Sequence, residues 1–383
     1  MKFLNLACLI LVSLPSKLVV YGKNISTTTT SRKIRRVQIG EHRESSDTND
    51  IGVRQRELKT SSDDVECTQD DTVKTTYDCS ETIHIDDDFD FERDVYCIGS
   101  GQEPLFLVHG DNNHPTIDCH GHCIYGGEDA FHVYGTATFV DCCFISQEGD
   151  AIKVVEEGSS AGDTLTVIDS YIQGTGDAGI EIETEIAPYN LNVDKVEFKN
   201  CYNGIYGGGA GGTWNVEKMT WKGSNVNSDA AIYLRAPYDV SMVTIKDSKI
   251  EGAESAIYIY TNEHSELYVD KVDVKLVDRA VYLLNDVGKV TLKDSKFKNG
   301  SQGLDLSSTN FVNELILDDV EFCRFLSEDM SYMENVLNSH VKDVTCDDAY
   351  ARGIRARIDV TADYCEKSCG LDDQFEYCKD ATR

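Results

Sequence analysis

Glu181 and Glu183, two positions apart in "AGIEIE", project from one face of an extended chain. Paired carboxylates of this kind can act as acid and base or hold Ca2+. Lys153 in "DAIKVV" and Arg235 in "AAIYLR" are the basic groups that can take a proton or steady a negative charge nearby. No complete motif assigns a catalytic role to Arg235, Lys153, Glu181 or Glu183, and exposed glutamates in an acidic chain usually do no more than solvate it. Tyr206, Tyr233, Tyr258 and Tyr282 recur at one place in "NGIYGG", "AAIYLR", "SAIYIY" and "RAVYLL". His132 holds that place in "DAFHVYG", and Tyr260 lies two residues beyond Tyr258. Tyrosine combines a flat apolar ring with a hydroxyl, which suits sugar rings.

These residues are aligned by a repeat. The segments "ATFVDCCF", "LTVIDSYI", "LNVDKVEF", "WNVEKMTW", "VTIKDSKI", "LYVDKVDV", "VTLKDSKF" and "LILDDVEF" end at Phe144, Ile172, Phe198, Trp221, Ile250, Val274, Phe297 and Phe322, spaced by 23 to 29 residues. A second short segment follows each of the first seven, with inward residues Ile152, Ile180, Ile205, Ile232, Ile257, Val281 and Leu304. Alternation in both series means strands with one buried face, and a shared period means one coil per repeat. The expected fold is all-β, a parallel β-solenoid of two strand series. The outward column of the first series, Asp141, Asp169, Lys195, Lys218, Asp247, Lys271, Asp294 and Asp319, predicts a ladder of exposed ion pairs. In the second series the column His132, Lys153, Glu181, Tyr206, Tyr233, Tyr258, Tyr282, Asp305 faces outward. Beside it runs Tyr134, Val155, Glu183, Gly208, Arg235, Tyr260, Leu284, Ser307.

The repeats, with "PTIDCHGHCIYGG" near their start, resemble the right-handed parallel β-helix repeat family of the pectate-lyase-like superfamily over roughly residues 80–325. The resemblance implies a right-handed coil, and lyases of that kind pair Ca2+-holding acids with an Arg or Lys base. "RAPYDV" is similar to half of a pectate-lyase Arg-x-Pro-x-x-Arg motif, but Val240 stands where the second arginine belongs. The polygalacturonase set is incomplete as well.

The chain begins with a basic residue and a short apolar run, "FLNLACLILVSL", which reads as a signal peptide over residues 1–22. No later stretch is long and apolar enough to span a membrane. Residues 23–62 read as a basic disordered tail or propeptide, 63–125 as a capped entry, 126–325 as coils, and 326–383 as a Cys-rich cap with a short helix in "SEDMSYMENVL". Fourteen cysteines fit an oxidising compartment, with disulfides at both ends and Cys201 free in the middle. Asn24 and Asn299 head glycosylation sequons.

From Lys23 to Thr60 there are nine Lys/Arg against five Asp/Glu, a net of +4, whereas the remainder after residue 22 has 25 against 62, a net of −37. Nucleic acid is therefore excluded as a partner of the body. No separate metal centre is expected: "CHGHC" reads as an entry turn, "HIDDDFDFERD" lacks an EF-hand's spacing, and "GGGAGG" reads as a flexible turn. Ca2+ is the one cofactor the residue types admit. The function expected is that of a secreted extracellular or cell-wall protein that binds a polysaccharide or glycoconjugate along the tyrosines and modifies or only holds it. The alternative is a non-catalytic structural or adhesive component of wall or matrix.

Overall fold

A computed structural model describes residues 76–345 apart from 79–81, 99–103, 112, 185–187, 210, 224–228, 237–240, 309–310 and 332–335. The leader, the basic tail, Asn24 and residues 346–383 lie outside the described residues. The rest is a parallel β-solenoid whose strands pair one coil to the next. No helix among the described residues is long and apolar enough to cross a membrane.

As far as Arg279–Leu284 the described coils have three strands each, not two, and beyond it the chain runs on in the long strands Val287–Ser308 and Val312–Ser331. In a representative coil the three are Ala230–Arg235, Ser241–Lys246 and Lys249–Glu251, here called faces A, B and C. The segment expected as one strand breaks in the middle because one residue per coil adopts a left-handed conformation. That column is Asp141, Asp169, Lys195, Lys218, Asp247, Lys271, Asp294 and Asp319, with φ between 47° and 55°. These residues are therefore corners between faces B and C rather than rungs of a flat ladder. Aspartate suits such a corner because its short polar side chain tolerates this region. Only part of the expected ion pairing forms within the column, as between Lys195 and Asp169 at 3.1 Å.

The residue after the corner turns inward, and in three coils it is a serine. Ser170, Ser248 and Ser295 Oγ accept the main-chain N–H of Cys142, Met219 and Val272 in the preceding coil at 3.0–3.1 Å. Each hydroxyl donates in turn to the carbonyl two residues back, on Ile168, Lys246 or Lys293. The serine thus satisfies a buried N–H that the bend removes from the strand ladder.

The core is a stack of inward columns. Phe144, Ile172, Phe198, Trp221, Ile250, Val274, Phe297 and Phe322 are in register on face C and buried. Burying each such side chain contributes roughly 1.5–3 kcal/mol. Gly207 is required here: a Cβ at that position would overlap the Trp214 indole. Gly207, Gly208 and Gly209 therefore belong to the strand Asn203–Gly209, not to a flexible turn.

At the first coils, disulfides join Cys119 to Cys142 and Cys123 to Cys143, so the thiols of "CHGHC" are not available as zinc ligands. Cys97 and Cys323 are also disulfide-bonded. Cys201 is free and buried, its thiol pKa pushed up by burial, which makes it a small apolar filler. Past Phe325 the described chain stays extended as far as Ser331. Glu328, Met330 and Ser331 pair with Gln302, Leu304 and Asp305, and Val336–Thr345 adds a further strand. The helix expected in "SEDMSYMENVL" is therefore absent from the described part of that segment, because strand pairing overrides its helical composition.

Candidate functional site

Face A carries the tyrosines. Its strands Ile152–Val155, Ala178–Thr184, Asn203–Gly209, Ala230–Arg235, Ser255–Tyr260 and Arg279–Leu284 align His132, Lys153, Glu181, Tyr206, Tyr233, Tyr258, Tyr282 and Asp305 as one column. The second column is as expected through Leu284, where an irregularity pairs Leu284 with Ser308 instead of Ser307. Asn299 sits at a left-handed corner with φ 57°.

The tyrosines pack on each other. Tyr233 and Tyr258 stack with centroids 4.3 Å apart and planes within 5°, and Tyr258 and Tyr282 follow at 4.8 Å, tilted by 40°. Tyr206 meets Tyr233 edge to face at 5.0 Å, because its ring leans over the space left by Gly208. Stacking covers the ring faces, so the half-buried tyrosines offer edges and hydroxyls to the outside. Burial pushes the hydroxyl pKa of Tyr206, Tyr233 and Tyr258 up, and a neighbouring ring adds to this at Tyr233 and Tyr258. These three hydroxyls therefore stay protonated.

Two arginines lie along the strip. Arg279 sits 4.4 Å over the Tyr282 ring with its guanidinium 3.8 Å from Glu254. Arg235 lies 5.9 Å over Tyr260 and hydrogen-bonds Tyr206.

Where the ladder changes from tyrosine to charge, the side chains form one network. Lys153 Nζ lies 3.0 Å from Glu181 Oε2 and 2.9 Å from Glu183 Oε2. Burial opposes the lysine's charge, but its bonds to Glu183 and Glu181 prevail and raise its pKa, so it is no base at neutral pH. Glu181 is 7 % exposed, not a solvated surface glutamate, whereas Glu183 is exposed.

Beneath them Asp150, 2 % exposed, accepts the Ala178 N–H at 2.7 Å and hydrogen-bonds Glu181. Burial first, then Glu181, pushes its pKa up to about 10, so Asp150 keeps its proton beside Glu181. Asp129 accepts the Asp150 N–H at 2.7 Å and pairs with His132 at 2.7 Å. Burial works against its charge, yet those two bonds outweigh it and lower its pKa.

Oxygens of Asp150, Asp177 and Glu181 lie within 4.8 Å of one another, a set that resembles a cation site. The ammonium of Lys153 already supplies the positive charge beside Glu181, and Asp150 spends one oxygen on Ala178, so the donors do not fit Ca2+. Carboxyls in hydrogen-bond contact are also too close to flank a glycosidic bond, which needs about 5 Å or more between them.

Sequence reasoning placed Lys153, Glu181, Glu183, Arg235 and the tyrosines on one face and missed Asp129, Asp150 and Asp177. The signal was present in "DAFHV", "DAIKV" and "DAGIEI", where an aspartate precedes each strand. No known protein-family pattern, characterised protein or solved structure matches the chain.

Proposed function

We propose that face A binds an extended extracellular polysaccharide lengthwise. The observation that carries this reading is the in-register row of four half-exposed tyrosines whose hydroxyls recur once per coil. Strand spacing of about 4.8 Å is comparable to the advance of one sugar along an extended chain, so each coil can address one residue. A strip open along its length suits a polymer better than a small metabolite. The disulfides and the N-terminal apolar run support an extracellular address, and we take the coil as right-handed, after the superfamily its repeats resemble.

Binding of wild type and Tyr233→Ala/Tyr258→Ala to an array of neutral, cationic, sulfated and uronate polymers tests this. We expect the double variant to lose roughly tenfold or more in affinity, the scale of two truncated aromatic anchors. Equal binding by both proteins refutes the strip.

The same array tests cleavage of the bound chain, which the hydrogen-bonded Asp150 and Glu181 carboxyls do not favour. Products released by wild type and not by Glu181→Gln in the same wells would establish it. Binding without products leaves a structural or adhesive role.

A further inference from the structure

Resting on that reading, we infer that the polymer is cationic, an amino-sugar chain whose ammonium groups pair with a row of carboxylates along one edge of the tyrosine strip. Asp177, Asp229, Glu254 and Asp278 each precede a ladder residue (Glu181, Tyr233, Tyr258 and Tyr282) by four positions. Backbone bonds fix them at one place in their coils, with Tyr202 filling it in the coil between Asp177 and Asp229: Asn203 N–H donates to Asp177, Asp229 to Tyr202, Ser255 to Asp229 and Arg279 to Glu254, all at 2.8 Å. Asp177, Glu254 and Asp278 are exposed and Asp229 is half-buried. Acid and phenol thus recur together in the three successive coils of Tyr233, Tyr258 and Tyr282, while Asp177 lies beside Glu181 and the intervening coil carries Tyr202 at that place.

The molecule itself shows what such a place accepts. Arg279 lodges its guanidinium over Tyr282 and beside Glu254, close enough to Asp229 to offset part of the rise that burial gives that carboxyl's pKa. A cation held by an aromatic ring and a carboxylate is the arrangement an ammonium group on a sugar would copy. In the two preceding coils the residue matching Arg279 is Ser255 or Ala230, so Asp229 and Tyr233 receive no arginine from that position. Burial raises the pKa of both Asp177 and Asp229, so a cation brought to them is favoured. The chain's net charge of −31 draws a polycation and repels uronates and sulfated glycans. A neutral glycan would leave the carboxylate row unused. A basic peptide satisfies the acids but not a hydroxyl row that repeats with every coil.

The test compares binding of the full chain to chitosan oligomers, N-acetylated chitin oligomers of equal length, oligogalacturonate and polylysine at mildly acidic pH. Wild type, Asp177→Asn/Asp229→Asn and Tyr233→Ala/Tyr258→Ala are each checked for fold by circular dichroism. We expect wild type to prefer chitosan over chitin by about tenfold or more, a difference of ~1.4 kcal/mol, to lose this preference in the carboxamide variant, and to weaken with salt. Equal or tighter binding of chitin or oligogalacturonate overturns the cationic assignment and leaves polysaccharide binding standing. Chitosan binding that the carboxamide variant retains overturns the placement on this row, and polylysine bound as tightly as chitosan overturns the sugar. Failure of every glycan to bind removes the underlying reading too.

Discussion

Three demands meet at Asp150 on face A. It must accept the Ala178 N–H, lie against Glu181 and remain almost fully buried, and it meets all three conditions by keeping a proton. In an unfolded chain an aspartate ionises near ~3.9, whereas here the carboxyl holds its proton up to about 10. Between those values the folded state binds more protons than the unfolded one, so this pair's contribution to stability falls as pH rises and is fully present only below the unfolded value. Asn203 does the same job three coils away from His132, accepting the Ala230 N–H at 3.1 Å with no proton to retain. Asp150→Asn is therefore expected to keep the Ala178 bond, donate an amide hydrogen to Glu181, and raise Tm in mildly alkaline buffer by about 2–4 °C, the equivalent of ~1 kcal/mol. The gain should vanish in acid. A Tm difference that does not change with pH would show that Asp150 is not held protonated by the fold.

At the scale of the coil, the left-handed corner decides how faces B and C join. Lys271 holds this conformation with φ 55° and an exposed side chain. A β-branched residue there should cost about 1–2 kcal/mol, while asparagine should be neutral or stabilising. Denaturant midpoints of Lys271→Val and Lys271→Asn check this, and equal midpoints would mean the corner relaxes. The corner was legible, though not to a search for period two. Inward residues follow an i, i+3, i+5 pattern, as in Val193, Val196 and Phe198 or Leu292, Ser295 and Phe297, and the extra residue marks the bend. The tyrosine column could be read because strand alternation and coil period both fix it. Asp150 and the carboxylate row were harder to read: an aspartate before the strand marks some of them, but they sit at coil junctions of unequal length, where alternation ends and burial depends on the neighbouring coil. Composition misled around residues 327–331, whose helical tendency yields to pairing with Gln302, Leu304 and Asp305.

For the molecule as a whole, a solenoid has no single centre: each coil contacts the coils before and after it, and stability is close to a sum of local terms. The disulfides accordingly act locally. The Cys119/Cys142 and Cys123/Cys143 bridges span 23 and 20 residues and fasten one coil to the next near the beginning of the stack. Closing loops of that size stabilises by roughly 3 kcal/mol each in the chain-entropy account. In a single-core protein, removing such a bridge would lower the stability of every element alike. In a stack the loss should be confined to nearby coils, because distant ones retain their own neighbours. We therefore expect Cys119→Ala/Cys142→Ala to raise native-state hydrogen exchange by roughly 100-fold, the equivalent of ~3 kcal/mol, across residues 106–145. The tyrosine strands Ala230–Arg235 and Ser255–Tyr260 should keep their protection within a few-fold. A uniform rise along the chain would mean the coils unfold together, so that the tyrosine strip depends on the distant disulfides. A confined rise would mean the tyrosine strip holds its geometry through the coils immediately around it.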